Sequence, residues 1–166
     1  MSVTTPRLAA VLGLACISAA VQAAGAVQVS FVQPDKFTDA GDARRDTDRN
    51  LDEVKRHFEV LAARHLADGQ TLGIEVLDVD LAGEVRPSRR THQDARILKG
   101  GVDWPRIKLR YTLQGAGAAP RSAEQTLSDM GYLHHVNRYP RAEPLRYEKR
   151  MLDEWFAAQF GRAAAP

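Results

Sequence analysis

Cysteine is all but missing from this 166-residue chain, with Cys16 as its single representative. Everything after that position is therefore without an intramolecular disulfide, a thiol nucleophile or a cysteine-ligated zinc or iron–sulfur site. Lysine is scarce as well: Lys36, Lys55, Lys99, Lys108 and Lys149 stand against eighteen arginines. An excess of either charge sign is also lacking, since 23 Lys and Arg oppose 21 Asp and Glu for a formal net charge of +2. That balance gives no uniformly basic surface for nucleic acid, and no nucleic-acid partner is expected. Twelve glycines and eight prolines are too few for a collagen-like or low-complexity chain, and 44% apolar residues exclude intrinsic disorder. No apolar run reaches the roughly 20 residues that cross a bilayer.

The longest such run is nevertheless informative. Arg7 precedes Leu8–Ala20, an uncharged stretch of about 13 residues, and Val21-Gln22-Ala23 follows with small residues at the positions a signal peptidase reads. Residues 1–23 are expected to be a signal peptide cleaved after Ala23, leaving 24–166 as one exported domain of 143 residues with 22 basic and 21 acidic side chains. The expected location is the periplasm. Cys16 sits inside the apolar run with Gly13 where a lipid-attachment cysteine wants leucine, so a lipoprotein is not expected.

Beyond residue 24 the periodicities alternate between strand and helix. Val27–Val32 reads as a strand ended by Pro34, and the acid-rich Pro34–Asn50 as a surface loop with Asn50 as the cap of the next element. Leu51, Val54, Phe58, Leu61 and Leu66 follow a three-and-four spacing, which predicts an amphipathic helix ending near Asp68-Gly69. Thr71–Leu81 is β-branched and leucine-rich, a second strand. Arg86–Asp103 has no period and reads as a long loop. Arg106–Gln114 puts Ile107, Leu109, Tyr111 and Leu113 on one side and charged or polar residues on the other. A flexible connection over Gly115–Pro120 leads to a returning strand from Arg121 to about Leu133. Pro144 marks the start of a last helix whose apolar stripe is Leu145, Leu152, Trp155, Phe156 and Phe160. The expected fold is α+β: a single two-layer domain in the order β-α-β-β-β-α, with an antiparallel or mixed four-stranded sheet and both helices on one face.

Two constellations bear on function. Asp78 and Asp80, two apart on a strand, project from one face about 7 Å apart, and with Glu84 they would hold a cation or share a proton in a small hydrolase or metal-dependent enzyme. A calcium loop is excluded, because Ala82 replaces a needed Asp or Asn and Arg89 stands where a bidentate Glu belongs. The competing reading has these acids ending the strand in ion pairs with arginines. The second constellation is Arg86, Arg89, Arg90, Arg96 and Lys99 against Asp94 and Asp103, a cationic loop suited to an anionic headgroup, polysaccharide or acidic protein.

The five histidines make no metal signature. His57 and His65 lie two helical turns apart, too far for one ion; His92 stands alone, and adjacent His134 and His135 would point to opposite sides of an extended segment. Glu148 falls within the apolar arc of the last helix and would need a partner such as Arg110 or Arg146. No nucleophile elbow, phosphate-binding glycine loop or dinucleotide fingerprint is present, so no cofactor and no metal are expected.

The stretch Leu127-Ser128-Asp129-Met130-Gly131-Tyr132-Leu133, followed by Pro144-Leu145-Arg146-Tyr147-Glu148-Lys149-Arg150-Met151-Leu152-Asp153-Glu154-Trp155-Phe156, resembles exported bacterial proteins of domain-of-unknown-function family 3016. Val29–Phe37 and Asp78–Glu84 resemble that family's opening strand and central strand with its turn. The resemblance implies export and a single domain. It brings no reaction, substrate or catalytic residue with it. The leading expectation is therefore a non-enzymatic binding or envelope-associated module with an anionic partner.

Overall fold

The computed structural model describes residues 25–87, 94–115 and 117–161. Strands β1 (Ala26–Phe31), β2 (Thr71–Asp80), β5 (Arg106–Gly115) and β6 (Ala118–Ser128) form one mixed sheet in the order β1-β2-β5-β6. Helix α1 (Arg44–His65) carries the chain from β1 to its parallel neighbour β2, while β2–β5 and β5–β6 are antiparallel. Helix α2 (Arg146–Phe160) closes the fold, and between β2 and β5 a separate two-stranded sheet is made by β3 (Glu84–Pro87) and β4 (Asp94–Ile97).

Both helices cover the same face of the sheet. Leu72, Ile74, Val76 and Val79 of β2 with Ile107, Leu109 and Tyr111 of β5 are buried there against Leu51, Val54, Phe58 and Leu61 of α1 and Leu152, Trp155 and Phe156 of α2. Among the described residues no helix lies over the other face of the sheet. The expected α+β class, two-layer arrangement and element order are all realised.

Three local differences have physical reasons. Helix α1 begins at Arg44 rather than after Asn50, because its first two turns run clear of the core and carry no apolar stripe to announce them. Asn50 does not cap; its Nδ2 donates to Ala40 O at 2.9 Å and ties those turns to the preceding loop. Strand β6 stops at Ser128 because the Asp129 carboxylate accepts the Gly131 N–H at 3.1 Å and turns the chain. The expected loop Arg86–Asp103 contains β3 and β4, each four residues long and too short to show a period. Gly83 makes the entry to that hairpin: its φ is +84°, and a Cβ there would lie 2.6 Å from Ile97 O.

Candidate functional site

Asp78 and Asp80 do share a face, and a β-bulge decides which. The register of β2 on β5 shifts between Val76 and Asp78, which moves both aspartates onto the uncovered face beside Glu75 while Val79 stays inside. Asp78 accepts the Thr38 N–H at 2.7 Å and the Thr38 hydroxyl at 2.8 Å, fastening the 38–40 segment beside the end of β2. Asp80 is ion-paired with Arg106, whose Nε lies 2.9 Å away. The two carboxylates are therefore each engaged by a different neighbour. Among the described residues no three His, Cys, Asp or Glu side chains come together as a metal site.

Of the cationic group, Arg96 turns inward. Its guanidinium donates to Asp39 Oδ2 at 3.2 Å, to Ala82 O at 2.9 Å and to Gly83 O at 3.0 Å, rooting the β3–β4 hairpin on the main fold. Lys99 and Arg86 both reach Glu84, which they hold below the usual carboxylate range at the exposed surface. Arg89, Arg90 and His92 lie outside the described residues, as do Cys16 and Ala23.

Glu148 is buried as expected, with different partners. Its carboxylate accepts the Ala82 N–H at 2.8 Å, and the charged groups acting on it are Arg96 and Asp39. Arg110 lies on the uncovered face instead, between Glu75 and Glu124 at 2.9 Å each. Burial raises the Glu148 pKa, opposed by the hydrogen bond from Ala82.

Two polar clusters lie along α2; the first escaped the sequence reading, and of the second the sequence suggested only the meeting of His134 or His135 with Asp129 and not the part of Arg150. In the first, His57 Nε2 lies 2.8 Å from Asp153 Oδ1 and 3.2 Å from Lys149 O, both acceptors, so Nε2 carries the hydrogen; Tyr139 donates to Asp153 Oδ2 at 2.8 Å. Partial burial acts to raise the Asp153 pKa, but the hydrogen bonds from His57 and Tyr139 outweigh it and the carboxyl lies below its usual range. Burial and the bond to Asp153 push the Tyr139 phenol up. In the second cluster, Arg150 donates to Asp129 Oδ2 at 2.5 Å and to Val136 O at 3.1 Å, with His135 Nδ1 3.0 Å from Asp129 Oδ1. Between them runs a groove of about 440 Å³ lined by His135, Arg138, Tyr139, Arg150, Asp153 and Glu154. Most of these groups are spent on one another, and among the described residues no hydroxyl is bonded to His57 as a nucleophile would be. The clusters hold the 129–139 segment onto α2.

His57 had left a trace in the sequence, since it lies three residues after Val54 on the apolar arc of α1. Its partner is 96 positions away and had left none.

Family assignment rests on the sequence match. The family of proteins of unknown function designated DUF3016 matches residues 25–158, which run from the residue before β1 nearly to the end of α2. The chain belongs to this family. In this DUF3016 member the matched region takes in the core stripe of α1, that of α2 as far as Phe156, the β3–β4 hairpin and both polar clusters. No curated protein and no solved structure matches the sequence.

Proposed function

We propose that this DUF3016 protein is an exported, non-enzymatic binding module that meets an anionic component of the cell envelope through its β3–β4 hairpin. The observation that carries the reading is the way the hairpin is built. It forms a sheet of its own, rooted by one arginine, Arg96, while segment 84–99 still carries Arg86, Arg89, Arg90 and Lys99 against Glu84 and Asp94. Such a cationic segment favours an anionic surface by an attraction that salt screens within about 8–10 Å. Export is supported by the signal-like residues 1–23 and by a family match that starts at residue 25.

The test is retention of the purified protein on an envelope fraction at low and moderate salt, compared with the triple variant Arg86→Gln, Arg89→Gln, Arg90→Gln. Retention that falls with added salt and is lost in the variant is expected. Retention unchanged by both salt and substitution overturns the reading.

The alternative, a hydrolase or metal-dependent enzyme using Asp78 and Asp80, draws less support, because Thr38 and Arg106 already occupy those carboxylates. Metal bound by protein purified without chelator or histidine tag, and lost with Asp80→Asn, would restore it.

A further inference from the structure

The face of the sheet away from the helices is largely polar. Its side chains fall in five cross-strand rows: Ala26, Thr71 and Gln114; then Gln28, Gly73, Thr112 and Ser122; then Ser30, Glu75, Arg110 and Glu124; then Asp78, Lys108 and Thr126; then Asp80, Arg106 and Ser128. Charges of both signs alternate and neutralise one another: Arg110 bridges Glu75 and Glu124 at 2.9 Å, Lys108 meets Glu124 at 2.9 Å, and Arg106 meets Asp80.

The Gln28–Gly73–Thr112–Ser122 row lacks charge, as does the terminal Ala26–Thr71–Gln114 row, and it contains a glycine that the fold does not require. Gly73 lies inside the ten-residue β2, hydrogen-bonded on both sides, and away from the bulge, which falls between Val76 and Asp78. Its backbone is ordinary for a strand, and a Cβ added there would meet nothing nearer than Thr112 O at 3.9 Å. A glycine in a strand interior weakens the sheet, and where no bend, bulge or neighbouring backbone explains it, close approach by a ligand does. Gly73 is the floor of a groove of about 340 Å³, within the usual range for ligand sites, lined by Gln28, Ser30, Glu75, Arg110 and Thr112.

The lining selects the ligand. A polyanion would meet Glu75 and Glu124, a polycation would meet Arg110, and an apolar ligand would strip water from polar groups without replacing their hydrogen bonds. A neutral chain of hydroxyl groups suits it, because each hydroxyl both donates and accepts, matching the Gln28 amide, the Ser30 and Thr112 hydroxyls and the Glu75–Arg110 pair. We propose that the Gly73 groove is a binding site for a neutral oligosaccharide, laid across β1, β2 and β5 and separate from the cationic hairpin.

The discriminating variant is Gly73→Thr. With space for the side chain and a better strand former in place, it keeps the fold and raises Tm by about 2–6 °C. Backbone amide NMR spectra are recorded during titration to millimolar concentration with neutral tetrasaccharides, namely a β-1,4-glucan, an α-1,4-glucan and a chitin oligomer. The expected result is shifts confined to residues 28–30, 73–75 and 110–112 for at least one of them, abolished by Gly73→Thr and kept by the hairpin triple variant. Absence of binding by every tetrasaccharide, binding that survives Gly73→Thr, or shifts at these residues only with extended peptides each overturns the proposal. Loss of stability in Gly73→Thr would show that the glycine serves the fold and would overturn it too.

Discussion

His57 on α1 donates to Asp153 on α2 at 2.8 Å, and Tyr139 donates to the other oxygen of the same carboxylate, also at 2.8 Å. One aspartate thus ties together two helices and the segment that connects the sheet to the second of them. Its role follows from its saturation: both oxygens are occupied by donors from opposite sides.

Because Asp153 titrates lower in the folded chain than its ordinary value of 3.8, its stabilising contribution is complete above that pH and fades as the pH falls through the folded pKa. Asp153→Asn should lose about 1 kcal/mol at neutral pH, since a half-exposed charged hydrogen bond is discounted by solvent. Urea denaturation of both proteins across the acid range checks this. The gap between them should close as the pH falls through the acid range, and a gap that stays open there would show that the carboxylate charge is not what matters.

Glu148 has the opposite sign. Its folded pKa is raised by burial, so its favourable contribution is present below 4.5, the ordinary glutamate value, and is lost as the pH rises through the folded pKa. Glu148→Gln keeps an oxygen for the Ala82 N–H while removing the charge that burial penalises. It should match or exceed the parent in stability at neutral pH, with the difference shrinking in acid. Glu148→Ala instead leaves a buried N–H without an acceptor and should cost about 1–3 kcal/mol. Denaturation midpoints of the two variants, measured at two pH values, separate charge from hydrogen bonding.

Much of the architecture was legible in the sequence because both helical stripes and the β5 alternation are local patterns. Leu51, Val54, Phe58 and Leu61 announce their own burial, and so do Ile107, Leu109 and Tyr111. Long-range pairings leave no such pattern. That Arg96 would reach Asp39, 57 positions earlier, rather than solvent depends on where the 38–40 segment returns to the sheet. The bulge at Val76–Asp78 was equally invisible, yet it sets the face that the two aspartates share. Strands β3 and β4 were missed because four residues give only two per face.

Arg96 gives a prediction about local rather than global stability. Its guanidinium satisfies the Ala82 and Gly83 carbonyls and pairs with Asp39, so Arg96→Met should release the hairpin from the main fold. Amide hydrogen exchange ought to accelerate by about ten-fold or more in 84–87 and 94–97, corresponding to roughly 1.4 kcal/mol, while the amides of β2 and β5 stay protected. Equal acceleration in the central strands would mean that Arg96 supports the whole domain.

Gly83 tests the turn through its backbone rather than through the charges around it. At φ +84° an alanine is strained by its backbone alone, and its Cβ would lie 2.6 Å from Ile97 O and 2.7 Å from the Leu98 Cδ2 atom. The side chain of Leu98 has freedom to move, but Ile97 O belongs to the hairpin backbone, so the turn must open or β4 must shift. Gly83→Ala should therefore cost about 1–3 kcal/mol in thermal or urea unfolding. Gly69 is the control: its φ is +76°, yet a Cβ there meets nothing within 4 Å. Gly69→Ala carries the conformational strain without the collision, so it should cost about 1 kcal/mol and leave the hairpin in place. Equal losses in the two variants would assign the whole effect to backbone strain and remove the close approach of Ile97 as a reason for glycine at the hairpin entry.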